Sequence, residues 1–248
     1  MSLIVARMAF AEGVIDLHPD TPVAESPLTD DIPELPADIR TRNDVFGSVS
    51  PLRLGSQEED EKIFAAIRWP CILKAISWAK SAASLPQPGR AEILIPKLKA
   101  IFSSEGVPAE LVWIAEVESK FDPEAISQSG ARGLFQFMPA TAEEFGLINA
   151  EGDQRTKPEL SARAAARYLS RLYARFKDWP LALAAYNAGE GRVGRLLKKH
   201  QADSFAEIAT YLPAETQVYI PKIMSTLARR ENTRLSALPS PNLSPTLN

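Results

Sequence analysis

Twenty prolines punctuate 248 residues, and their spacing decides where helix is allowed. Proline lacks an amide hydrogen and has a fixed φ, so it suits a first helical turn and disrupts a helix interior. Pro108, Pro139, Pro180 and Pro213 each stand at the head of a stretch with apolar residues at helical spacing. The pattern predicts helices over 108–120, 139–145, 161–176, 180–188, 193–200 and 213–230, with a structured loop over 121–135. Alternating apolar and polar runs are nearly absent, so a mainly α fold is expected.

Further upstream, Gln57 opens another helical pattern, with Glu58, Glu59, Asp60 and Glu61 suited to the positive end of a helix dipole. It runs through Ile63, Phe64, Ile67 and Trp69, with a kink expected at Pro70, and on through Leu73, Ile76 and Trp78. The break Leu85-Pro86-Gln87-Pro88-Gly89 precedes a helix over 90–103 that Pro96 should disturb. Residues 12–56 are rich in proline and hold no apolar periodicity for two turns. Residues 1–56 therefore read as a flexible lead segment. Residues 57–104 read as N-terminal helices packing on a main domain at 105–231. The Ser/Pro/Asn/Leu composition of 232–248 reads as a disordered tail.

The formal net charge of −3, without a block of basic residues, argues against a nucleic-acid partner. A polar, uncharged ligand such as a glycan remains open. The single cysteine, Cys71, sits in an apolar run and reads as a small core hydrophobe. His18 and His200 lie far apart, and no spacing suggests a metal site. No stretch approaches the ~20 apolar residues that cross a bilayer. Met1–Ala11 ends in Ala9-Phe10-Ala11, like an export cleavage site. Arg7 interrupts its apolar run, however, and no positive charge precedes it, so it makes a poor signal.

Two acids close the helix expected at 108–120. Leu111, Ile114 and Ala115 precede Glu118 by seven, four and three residues, so they share its face. That face is apolar and must turn inward. A carboxyl there is partly desolvated, which favours its neutral form. Such an acid can protonate a leaving oxygen, as glycosidic cleavage requires, or it can be a structural carboxylate held by loop amides or an arginine. Glu116 falls on the far side, nearer Val112 and Trp113, and reads as a partly exposed or structural acid. Trp113 and Trp179 read as core aromatics.

The segment that follows is more specific. Glu118-Ser119 is succeeded by Gly130-Ala131-Arg132-Gly133-Leu134-Phe135-Gln136-Phe137-Met138-Pro139-Ala140-Thr141, later by Ala185-Tyr186-Asn187-Ala188-Gly189, and finally by Glu215-Thr216 with Tyr219 and Lys222. In this order the four motifs resemble the lytic transglycosylase SLT domain family, over roughly 105–230. The wording is nearest the D-type membrane-bound members, without their C-terminal glycan-binding repeats. Glu190 stands where many members have proline.

The resemblance implies a lysozyme-like (goose-type/SLT) helical domain with extra N-terminal helices. It implies cleavage of the bond between N-acetylmuramic acid and N-acetylglucosamine in peptidoglycan, without water, leaving 1,6-anhydromuramoyl ends. Glu118 would be the sole acid and base, with Ser127, Gln136, Met138, Tyr186, Asn187 and Glu215 against the glycan. No cofactor and no metal are implied. The partner is the glycan strand, with peripheral membrane or cell-wall association compatible; a monomer in the periplasm or envelope is expected. The rivals are a hydrolytic muramidase on the same fold and a catalytically silent peptidoglycan-binding protein.

Overall fold

The computed structural model describes residues 57–83 and 87–242, and the reading of 1–56 as flexible lies outside them. Helices α1 (Gln57–Ala66), α2 (Trp69–Ala83) and α3 (Gly89–Ser104) come first. A 3-10 turn, Ala109–Trp113, runs into the short α4 (Ile114–Ser119), and α5 spans Pro139–Glu144. A small antiparallel pair follows, β1 (Ile148–Asn149) and β2 (Gly152–Asp153), which the sequence pattern did not foresee. Then come α6 (Pro158–Phe176), α7 (Trp179–Ala188), α8 (Glu190–His200), α9 (Phe205–Ile208) and α10 (Ala214–Glu231).

Helix boundaries follow local chemistry. Pro139, Pro158 and Pro180 occupy first turns, where a missing amide costs nothing. Asp178 caps α7 by accepting from the Leu181 amide at 2.6 Å. Ser204 and Glu207 form a capping box on α9. The kink expected at Pro70 is instead a break at Ile67–Arg68, because Pro70 is accommodated in the first turn of α2. The freed Arg68 amide donates to Gln217 Oε1 at 3.0 Å. Pro96, by contrast, is carried inside a continuous α3.

α7 is the central helix. Trp179 and the run Leu181–Ala185 are buried, and its small residues let α6, α8 and α10 approach closely. α10 packs along α2 and also meets α4 and α7. α3 shares the same core, with Leu98 and Phe102 fully buried and Phe102 at 5.7 Å from Phe135. Burying one such aromatic contributes roughly 2–3 kcal/mol.

The reading of 232–248 as a disordered tail is corrected for residues 232–242. Leu235 and Leu238 are buried, Pro239 accepts from the Trp179 indole at 3.0 Å, and the Asn242 amide donates to Gly106 at 2.8 Å. Two apolar anchors and a few backbone bonds hold this segment, and neither leaves a periodic signature.

Candidate active site

Glu118 stands in the last turn of α4. Directly after it the chain reverses through Lys120 (φ 54°) and Phe121 (φ 59°), both in the left-handed region. Such backbone is unfavourable for non-glycine residues and persists only when packing holds it. Here Phe121 is fully buried, edge-on against Trp113. Ser119 reaches across to donate to the Leu134 carbonyl at 2.9 Å, tying the helix end to the following loop.

That loop is held from several sides. Arg155 donates to the carbonyls of Gly130 and Phe137, both at 2.8 Å, while its other edge pairs with Asp153. Gly133 has φ 84°, and a Cβ there would sit 1.9 Å from the Arg155 carbonyl oxygen. Only glycine meets both demands. Gln136 (φ 49°) donates its side-chain amide to Gly133 at 2.8 Å and to Ala125 at 3.2 Å. Ser127 Oγ accepts from the Ala131 amide at 3.0 Å and meets Ser129 Oγ at 3.1 Å. Both side chains are thus engaged within the loop. Met138 ends it at the start of α5, 43% exposed.

Three elements meet at Glu118. From α10, Tyr219 donates its hydroxyl to Glu118 Oε1 at 2.6 Å across 101 residues of sequence. From α7, Tyr186 is enclosed nearby and donates to the Phe135 carbonyl at 2.8 Å, so its hydroxyl braces the loop rather than the acid. Asn187 accepts from Thr216 at 2.8 Å, joining the end of α7 to the start of α10. Glu215, exposed in the first turn of α10, contributes charge to this region. None of Ser127, Gln136, Met138, Tyr186, Asn187 or Glu215 hydrogen-bonds to Glu118.

The surroundings set the chemistry of the acid. The Glu118 carboxyl is enclosed by protein while the residue keeps some accessible surface. Burial pushes its pKa from 4.5 up to about 7; Glu215 adds to the rise, while the Tyr219 hydroxyl and the Lys222 charge oppose it. Burial also drives the hydroxyls of Tyr186 and Tyr219 well above their ordinary value, so both remain donors. The result is a carboxyl half protonated near neutral pH, able to give and take a proton. Glu116 is handled differently. It is buried and paired with Arg229 at 2.7 Å and Arg230 at 2.9 Å, a structural acid.

Residues 98–209 match the family described as the Transglycosylase SLT domain. Over these residues the chain is similar to a transglycosylase SLT domain. It is 37% identical over 140 residues to membrane-bound lytic murein transglycosylase D of Escherichia coli (strain K12), covering 55% of this chain and 31% of that protein. It is 42% identical over 100 residues to peptidoglycan transglycosylase gp16 of Escherichia phage T7, covering 39% of this chain and 8% of that one. The chain thus spans about a third or less of the length of these relatives. An inactive mutant of lytic transglycosylase Slt from Pseudomonas aeruginosa aligns with a TM-score of 0.50 at 27% identity, over 71% of this chain and 34% of that one. The fold is accordingly the lysozyme-like helical one.

The SLT match stops at residue 209, before α10, yet the hydrogen bond to Glu118 comes from α10. Tyr219 follows Glu215-Thr216 in the last motif and is not among the site residues that the resemblance implies. Spacing would have found it: Glu215, Tyr219 and Lys222 recur at i, i+4 and i+7 and so share one face of the helix. Among the described residues no cluster of three or more His, Cys, Asp or Glu is placed to hold a metal, and no helix is long and apolar enough to cross a membrane.

Proposed function

We propose that this chain is a lytic transglycosylase acting on peptidoglycan, with Glu118 as its single acid and base. The observation that carries the reading is the Glu118 carboxyl, enclosed, held near pKa 7 and touched by the Tyr219 hydroxyl. In the first step the protonated carboxyl gives its proton to the oxygen linking N-acetylmuramic acid to N-acetylglucosamine. The C1–O bond breaks, and the substrate's acetamido group stabilises the developing positive charge. In the second step the Glu118 carboxylate takes the proton of the muramic C6 hydroxyl, whose oxygen closes on C1. The product is a 1,6-anhydromuramoyl end, and Glu118 is again protonated.

A mechanism of this kind needs no second carboxylate as nucleophile. Glu215, the other acid whose charge reaches Glu118, is exposed and makes no hydrogen bond to it, which suits a groove position better. Ser127, Gln136, Met138, Tyr186, Asn187 and Glu215 are assigned to the glycan-binding walls. Met138 offers an exposed apolar surface to a sugar face, and Gln136 and Tyr186 keep the loop at a fixed distance from the acid. The substrate exists as a mature polymer only outside the inner membrane, so the protein is assigned to the cell envelope. The relatives named as membrane-bound murein transglycosylases support that placement.

Mass spectrometry of purified sacculi after digestion tests this directly. Anhydromuramoyl ends, one water lighter than reducing ends, are expected. Reducing ends alone would make the protein a hydrolytic muramidase, and no cleavage would make it a binding protein.

A further inference from the structure

We propose that Lys222 is a positioning residue for the reaction: its ammonium is the counter-charge for the Glu118 carboxylate that forms when the proton is delivered. The proposal rests on the assignment of Glu118 as the acid. Lys222 lies three residues beyond Tyr219 on α10, so both project from the same face, and Tyr219 fixes that face against Glu118 with its 2.6 Å hydrogen bond. Lys222 is largely withdrawn from solvent. Its ammonium rests over the ring of Trp78, 5.7 Å from the centroid, and no carboxylate is in ion-pair contact with it among the described residues. Trp78 comes from α2, so the N-terminal helices supply the platform for this charge.

An enclosed lysine without an ion-paired carboxylate is costly unless its charge is used. Its neighbours define that use. Glu118 faces Tyr186 from α7 and Glu215, Tyr219 and Lys222 from α10, while the charge of Lys120 acts on Lys222. Lys222 is drawn by the charges of Glu215 and Glu118 and repelled by that of Lys120, while burial lowers its pKa. Before proton transfer Glu118 is neutral, and Lys222 has only Glu215 to answer it. After transfer, a second negative charge appears in an enclosed site, where an unscreened ammonium acts most strongly. The interaction is therefore stronger once charge has developed than before, the condition for lowering a barrier.

The test is the pH profile of Lys222→Met, with Lys222→Gln as a second neutral variant and Lys222→Arg as the charge-keeping one. On soluble glycan, kcat of the neutral variants should fall about tenfold. The alkaline limb of kcat/KM should move up by about half to one pH unit, because the carboxylate has lost its counter-charge. Lys222→Arg should restore most of both. Thermal melts of all three report folding separately. A rate and limb unchanged in a folded neutral variant would overturn the proposal, and so would a loss of rate with the limb unmoved. Carbon-13 titration of the Glu118 carboxyl gives the same answer without turnover. An upward shift in Lys222→Met is expected whatever bond the enzyme cuts, so failure of the reaction assignment and failure of the Lys222 role remain distinguishable.

Discussion

Two acids separated by one residue on α4 face two ends of the same partner helix, and they meet opposite environments. Glu116 meets the C-terminal end of α10, where Arg229 and Arg230 close on its carboxylate within 3.0 Å. Glu118 meets the helix a few turns earlier, where it finds a tyrosine hydroxyl and a lysine that does not touch it. The first arrangement locks a charge in place and joins two helices. The second keeps a proton on a carboxyl and leaves it exchangeable. Burial is common to both, so burial alone does not make a catalytic acid. What separates them is whether cations complete the site.

The largest expected effect is on Glu118. Glu118→Gln keeps the shape but cannot carry a proton, so turnover on soluble glycan should fall at least about a thousandfold while glycan binding persists. Retention of more than a few per cent of wild-type activity would remove Glu118 from its role. Glu116→Gln should behave in the reverse way. It leaves two partly buried guanidiniums without their carboxylate and should cost about 2 kcal/mol of stability, read from urea or thermal unfolding. Activity of the folded fraction should stay within about twofold of wild type. Equal losses of turnover in the two variants would erase the contrast.

A smaller effect sharpens the comparison through pH. The Glu118 pKa is raised on folding, so the folded state binds protons more tightly than the unfolded one between about 4.5 and 7. No penalty exists below 4.5, where both states are protonated. It grows as pH rises through that window and is complete above 7. Glu118→Gln escapes it, so the variant's stability relative to wild type should rise by about 2 kcal/mol between pH 5 and pH 8. Parallel curves would mean that Glu118 is not desolvated. The smallest effect is expected of Tyr219→Phe. Losing one hydrogen bond to the carboxylate should lower kcat about tenfold and move the alkaline limb of kcat/KM upward. A downward movement would show that the hydroxyl favours the protonated form instead.

Much of this contrast was legible in the sequence. The spacing of Leu111, Ile114 and Ala115 before Glu118 put that acid on an inward face; Glu116, expected to be partly exposed or structural, is buried as well and is structural through its two arginines. Proline positions located the helix starts at 139, 180 and 213 within a residue or two. What was not legible depends on contacts between distant segments. Arg229 and Arg230 look like an exposed helix end until α4 is packed against them. Tyr219 reaches Glu118 only through the crossing of α4 and α10. The left-handed backbone at Lys120, Phe121 and Gln136 has no glycine to announce it, because the surrounding packing imposes it. The burial of Leu235 and Leu238 has the same cause: two anchors in an otherwise polar segment carry no period.

The pH dependence of kcat/KM on soluble glycan tests the central claim most directly, because it reports the acid of the free enzyme. The account predicts an alkaline limb with its midpoint at about 7, as Glu118 loses the proton it must deliver. A rate that stays flat well above neutral pH, or one that collapses with a midpoint near the ordinary 4.5, would contradict it.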